Sequence, residues 1–325
     1  MDSLRGQTIV ITGASSGIGR ATALAFARYG GRLALGARRM NVLEEVAEQC
    51  RQAGGEAITV RTDVIDLESV RALARAADET FGGIDIWVNN AGMGVLGPYA
   101  AVPFALHRRT IEVNLLGAMH GAYAALPVFR RQSWGTLINN ISIGGWCPTP
   151  YTGAYTASKF ALRGFSASLR QELLGWPDIH VCGVFPTIVD TPGLEHAANL
   201  SGRRINPGPF LYTPEDVANT IVGLVVHPVD EVAVGWPARA AQVAYTLARR
   251  PTEWIVGSAM STVLRHADSA PPYEGALLNP VPQGTATAGG WRERNHVPSA
   301  RTLTRLGLAC IGAALFFASV AYARR

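Results

Sequence analysis

The sequence predicts an α/β domain built on a parallel sheet, and three observations carry that prediction. Short apolar runs alternate with helix-period segments between residues 8 and 235, a pattern of βα units rather than hairpins. A glycine-rich turn, Gly13-Ala14-Ser15-Ser16-Gly17-Ile18-Gly19, joins the first apolar run to the first helix. The run 84–88 is almost continuously apolar, as a strand covered on both faces must be.

Composition agrees with that class. At 325 residues, with 48% hydrophobic and 16% charged, the chain can bury a full core, enough for one domain of about 250 residues and an appendage. The net charge of +5 comes from scattered arginines without a basic block, which argues against a nucleic-acid partner and allows weak attraction to an anionic membrane. Cys50, Cys147, Cys182 and Cys310 lie too far apart for metal-ligand spacing and read as reduced, mostly buried small hydrophobes of a cytoplasmic protein. The first strand begins too close to Met1 for a secretory signal.

Taken in order, the first strand covers 8–12. The glycine turn after it lets the backbone approach a pyrophosphate, whose charge the free N–H groups at the start of an Ala-rich helix favour. The second strand, 32–35, runs into Gly36-Ala37-Arg38-Arg39. No carboxylate ends it to grip a ribose 2′-hydroxyl, and Arg38 and Arg39 stand where a 2′-phosphate would be clamped; the alternative is two solvated surface charges. Asn41 and Glu44 read as a capping pair for the next helix, with Leu43, Val46, Ala47 and Cys50 on its inner face. A third strand, 57–62, ends at Asp63 and Val64, and 66–81 is helical.

The fourth strand, 84–88, ends at Asn89-Asn90-Ala91-Gly92, on the carboxyl edge where ligands bind in such sheets. A structural turn is the other reading of that asparagine pair, and the two are compatible. The long helix that follows carries Asn114 among apolar neighbours, so its amide needs a partner. Strand five, 136–141, ends at Ser142, and strand six, 179–185, is broken by Pro186. Residues 187–212, rich in Gly, Pro and Asn, have the length and composition of an active-site lid. Thr213 and Pro214 open a further helix, and 231–235 is a seventh strand.

The chemistry is concentrated at Tyr155-Thr156-Ala157-Ser158-Lys159. A phenol and an ammonium four residues apart share one helix face. Tyrosine titrates near pH ~10 on its own, and a fixed neighbouring cation lowers that value. Lys159 is the only lysine; the other 28 of the 29 basic residues are arginines, which cannot shuttle a proton. Tyr151 is a rival phenol, but four residues on it meets Tyr155 and not a lysine.

In order and spacing, Thr12-Gly13-x-x-x-Gly17-Ile18-Gly19, Asn89-Asn90-Ala91-Gly92, Asn114, Ser142 and Tyr155-x-x-x-Lys159 resemble the short-chain dehydrogenase/reductase family, over roughly residues 5–236. The resemblance implies a doubly wound (Rossmann) parallel sheet of about seven strands with helices on both faces, binding a nicotinamide cofactor. It implies that Tyr155 is the general acid of carbonyl reduction, and the base in reverse. Lys159 would lower the Tyr155 pKa and hold the nicotinamide ribose, Ser142 would hydrogen-bond the substrate oxygen, and Asn114 would anchor a water that feeds protons to Lys159. Cofactor contacts are implied at Gly13, Ser15, Ser16, Gly17, Ile18, Gly19, Arg38, Arg39, Asp63, Val64, Asn90, Ala91, Gly92, Tyr155, Lys159, Pro186, Ile188 and Thr191. Two departures from the family pattern stand out. Pro186-Thr187 replaces a frequent Pro-Gly after the sixth strand, and no arginine lies in 14–16, so the expectation of NADP(H) over NAD(H) rests on Arg38 and Arg39.

Four segments are expected: a dinucleotide-binding and catalytic domain (1–236), a helical extension (237–267), a Pro/Gly-rich linker (268–300) and a membrane-anchor helix (301–325). The apolar run 306–323 is 18 residues long, about 27 Å as a helix against a hydrocarbon core of about 30 Å, and arginines flank it on both sides. Packing on the domain or in an oligomer interface is its other reading. The expected protein is therefore a C-terminally tethered, NADP(H)-dependent carbonyl reductase or alcohol dehydrogenase with its catalytic domain in the cytoplasm. It would act on a small lipophilic carbonyl or alcohol and could form a homo-oligomer. The rival readings are an epimerase or dehydratase with tightly held NAD, and a catalytically silent NADP-binding scaffold or sensor at a membrane.

Overall fold

The computed structural model describes residues 4–208 and 211–297. Its elements alternate as expected: β1 (Thr8–Thr12), α1 (Gly17–Ala27), β2 (Arg32–Ala37), α2 (Met40–Gln52), β3 (Glu56–Arg61), α3 (Leu67–Phe81) and β4 (Ile86–Asn89). Then come α4 (Phe104–Ile111), α5 (Gly117–Gln132), β5 (Gly135–Asn140), α6 (Gly153–Glu172), β6 (Ile179–Pro186), α7 (Pro214–Val226) and β7 (Glu231–Val234). All seven strands are parallel, in the order β7-β6-β5-β4-β1-β2-β3. The order reverses beside β1, which opens the crevice at the carboxyl edge where ligands of such sheets bind.

Two-residue periodicity divides the core. Ile9, Ile11, Leu33, Leu35, Val88 and Ile138 face α1, α2 and α7, where they meet Phe26, Leu43, Val46, Val217 and Ile221. The residues between them, Val10, Ala34, Trp87 and Leu137, face α3 and α5 and meet Val70, Leu73, Ala125 and Phe129. Both sheet faces are thus dry, which is why the central strands read as apolar runs instead of alternating with polar residues.

Local corrections are small. Asn41 and Glu44 do not cap α2: Arg39 is its N-cap residue without a side-chain bond, and Glu44 accepts from the Thr59 hydroxyl on β3. Asp66 does cap α3, accepting from the Glu68 amide, and Thr213 forms a capping box with Asp216 on α7. The long helix at Asn114 is α4 and α5 joined by a π-helical turn, Glu112–Leu116. Such turns widen a helix locally and recur at functional sites. Cys50, Cys147 and Cys182 are buried free thiols.

Residues 187–208, 211 and 212 form a built cover. Ile188–Val189 pairs with Leu211–Tyr212, Ala198–Asn199 pairs with Val95–Leu96, and Gly193–His196 makes a helical turn. Beyond β7, α8 (Trp236–Leu247) and α9 (Arg249–His266) bury little besides Ala238 and Thr252. Residues 268–297, expected as a linker, instead fold back onto the domain. Tyr273 pairs with Asn199, Leu277 is fully buried, and the Asp190 carboxylate accepts from the amides of Gly289, Trp291 and Arg292. The hydrophobic helix expected at 306–323 lies outside the described residues. Among those described, no helix is long and apolar enough to cross a membrane.

Candidate active site

The carboxyl edge carries a cavity of about 530 Å³. Of the catalytic and cofactor-binding residues expected from the sequence, all but Gly19 and Asn114 line it, which brings Gly13, Ser15 to Ile18, Arg38 and Arg39, Asp63 and Val64, Asn90 to Gly92, Ser142, Tyr155, Lys159, Pro186, Ile188 and Thr191 to one place. Gly19 and Asn114 support it from behind.

The glycine turn is glycine because of what lies against it. Gly13 has φ +67°, and a Cβ there would stand 2.8 Å from the Ala91 Cα. A Cβ on Gly19 would run into the Gly13 carbonyl and stand 2.6 Å from the Asn90 amide nitrogen. Asn90 donates to the carbonyls of Thr12 and Gly13, so the asparagine after β4 has the structural use left open in the sequence and also borders the cavity. Ser16 is the N-cap residue of α1 and makes no side-chain cap bond, so its hydroxyl does not compete with an anion for the amides that open the helix.

At the other end, Lys159 and Tyr155 project from α6 into a buried corner. The Lys159 ammonium donates to the Asn140 carbonyl at 2.9 Å and stands 5.6 Å from the Tyr155 ring centroid. Burial pushes Lys159 down from 10.5 to about 7. Burial also raises Tyr155, and a hydrogen bond from Ser142 opposes that rise. The net direction for Tyr155 is upward, with Lys159 not among its causes, whereas the sequence led to the expectation that Lys159 would lower it. The lysine is spent on a backbone carbonyl, and desolvation dominates the phenol's shift.

Ser142 holds φ 135°, ψ 159°, a region nearly reserved for glycine that costs a side chain about 1–3 kcal/mol and recurs at active sites. No pattern in the sequence signals that strain. Asn114 makes three bonds, accepting from the Met93 amide at 2.7 Å and donating to the Met93 carbonyl and the Ser158 hydroxyl. It ties the segment after β4 to α6. Thr187, which stands where a glycine is frequent, is pinned to β7 by its amide and hydroxyl, both donating to the Val234 carbonyl.

Arg38 and Arg39 lie at the end of β2 on the cavity wall, half-buried, and burial lowers both from their ordinary value. Arg39 also reaches the Ser15 hydroxyl at 3.4 Å. The far wall is formed by Leu194 and His196, within the expected lid, and by Ala276, Pro280 and Val281 of the folded-back segment, which sequence reasoning missed. The residues present fit a nicotinamide dinucleotide: close-approach glycines and helix amides in the middle, two arginines and a serine at one end, a phenol and an ammonium at the other. Among the described residues no cluster of His, Cys, Asp or Glu could hold a metal.

This sheet, with that cavity at its switch point, has the architecture of dinucleotide-binding proteins. The short chain dehydrogenase family model matches residues 7–199, and the chain belongs to that family. It is 33% identical to the uncharacterised oxidoreductase YxnA of Bacillus subtilis over 287 residues, 86% of this chain and 80% of that protein. It is 36% identical to 11-beta-hydroxysteroid dehydrogenase 1A of Arabidopsis thaliana over 224 residues, 68% of this chain and 62% of that one. Among solved structures, an alcohol dehydrogenase from the archaeon Thermococcus sibiricus complexed with 5-hydroxy-NADP matches with a TM-score of 0.62 at 33% identity, covering 70% of this chain and 95% of that one.

Proposed function

We propose that this oxidoreductase uses NADP(H) to interconvert a carbonyl and a secondary alcohol on a small lipophilic substrate, with Tyr155 as general acid and base. The observation that carries the reading is the meeting of Tyr155, Ser142 and Lys159 with Arg38 and Arg39 on one cavity. When bound, the dinucleotide supplies or accepts the hydride. The chain's part is to hold the reacting oxygen and move its proton. Ser142 donates to the substrate oxygen, and Tyr155 gives it a proton in reduction and takes one in oxidation. Burial keeps the phenol protonated at neutral pH, the form reduction needs. Lys159, held near neutrality by burial, can pass a proton on where arginine could not.

The preference for NADP(H) rests on Arg38, Arg39 and Ser15, on the missing carboxylate at the end of β2, and on the NADP-type ligand of the archaeal neighbour. Charge-assisted bonds are worth about 1.5–3 kcal/mol each. Arg39→Ala should therefore weaken NADPH binding by roughly 10- to 100-fold and change NADH binding by less than about threefold. Fluorescence titration with both nucleotides checks this, and an equal loss for the two would mean that Arg39 does not meet the 2′-phosphate.

A lipophilic substrate is supported by Met93, Val95, Leu96, Ile143 and Ile205 on the cavity wall, and by the steroid named for the plant relative. On the sequence alone, the run 306–323 extends the reading to a membrane tether with the catalytic domain in the cytoplasm. The full chain should then stay with membranes through an alkaline carbonate wash, and release by that wash would remove the tether.

A further inference from the structure

The donors assigned to the dinucleotide phosphates already have partners within the chain. Arg38 donates to the Ala276 carbonyl at 2.7 Å. Arg39 donates to Val281 and Gln283 at 3.0 and 2.9 Å and to Gly284 at 3.3 Å, again to backbone carbonyls. Arg20 reaches the Thr285 carbonyl at 2.6 Å, and the Gly17 amide donates to the Ala286 carbonyl at 3.1 Å. Two arginines at the end of β2 and an amide opening α1 thus meet a row of oxygens laid along the cleft.

The row is fixed at both ends. On one side Leu277 packs among Val95, Leu106 and Ala198, and the Ala276 amide donates to the His196 carbonyl at 2.8 Å. On the other side Asp190, itself buried, holds the amides of Gly289, Trp291 and Arg292.

We infer that residues 276–286 are a built-in competitor for the cofactor's 2′-phosphate, a strap that must leave Arg38 and Arg39 before a 2′-phosphorylated dinucleotide can occupy them. The inference rests on the NADP(H) reading above. Peptide carbonyls are neutral acceptors, and a phosphate is an anionic one with stronger, shorter bonds to guanidinium. Phosphate oxygens cannot share these donors with carbonyl oxygens without placing acceptor against acceptor. The arginines are stable in the closed state because the carbonyls satisfy them while half-buried, so opening has a cost that NADPH must meet and NADH meets only in part. Apparent affinity falls by the fraction of molecules that are open.

Gly284 offers a way to unseat the strap without touching the arginines. It has φ +69°, and a Cβ there would collide with the His196 ring and stand 2.9 Å from the Pro192 Cβ. Gly284→Val should tighten NADPH binding by about tenfold or more and NADH binding by less than about threefold. A folded variant whose NADPH affinity is unchanged or weaker overturns the inference.

Hydrogen exchange of the full wild-type chain supplies a second readout. NADPH should slow exchange in 13–19 and speed it at the amides of Ala276, Gly289 and Trp291. Slowing at both places overturns the strap and leaves the cofactor reading standing, because the segment would then be part of the bound site. No change at 13–19, with no NADPH titration signal, overturns both.

Discussion

Replacing Tyr155 with phenylalanine is expected to lower carbonyl turnover by about 10²- to 10⁴-fold, the span that a positioned general acid contributes. NADPH affinity should stay within about twofold, because phenylalanine keeps the ring's bulk at that position of the cavity wall. The change removes one buried hydroxyl and its bond with Ser142, a loss of about 0.5–1.5 kcal/mol that should leave the variant folded. Since burial raises the phenol's pKa, alcohol oxidation by the wild type should rise with pH through and above neutrality, following the scarce phenolate. Reduction should show no such rise. Steady-state rates in both directions across pH, beside a nucleotide titration of the variant, check all three statements.

The second large effect joins stability to activity. Lys159 is fully buried, makes one bond to the Asn140 carbonyl and titrates near 7 when folded, against 10.5 when exposed. The folded value is depressed, so between those limits the unfolded chain binds the proton and the folded chain does not. Stability therefore rises as pH increases from about 7 toward 10.5, and near neutrality the buried ammonium costs roughly 4 kcal/mol. Lys159→Met should remove that cost while leaving the Asn140 carbonyl unpaired at about 1–3 kcal/mol. A net gain of roughly 1–3 kcal/mol near pH 7 follows, together with loss of nearly all turnover. The gain should shrink toward pH 10.5 and reverse above it, where Lys159 is neutral in both states and only the unpaired carbonyl remains as a cost. Denaturant unfolding of both proteins at the two pH values reads it, and a variant less stable at pH 7 would show that Lys159 is charged and paired.

Much of this was legible in the sequence because the relevant physics is local. The run 8–12 is β1 to the residue, since apolar β-rich residues ending at a glycine leave little choice. Tyr155 and Lys159 share a helix face because four residues make about one turn. Arg38 and Arg39 reach the cavity because β2 ends just before them.

What could not be read depends on distant partners. Spacing brings Lys159 near Tyr155 but does not show the Asn140 carbonyl that captures it, nor a burial deep enough to reverse the direction of the Tyr155 shift. The strain at Ser142 belongs to a backbone angle and has no residue signature. Residues 268–297 look like a linker because their role at the site is carried by peptide carbonyls, which every residue has. Leu277 is buried while its neighbour Leu278 is exposed, so composition alone does not mark the position that packs.

The central claim is that this cavity transfers hydride to a carbonyl carbon while Tyr155 protonates the oxygen. The most direct measurement is deuterium transfer from NADPH carrying deuterium at the reactive nicotinamide carbon, run with the full chain against a panel of lipophilic ketones and aldehydes, with Tyr155→Phe in parallel. The account predicts deuterium on the carbinol carbon of at least one product with the wild type, and at most about one hundredth of that rate with the variant. Equal transfer by both proteins, or NADPH binding with no transfer to any carbonyl, would contradict it.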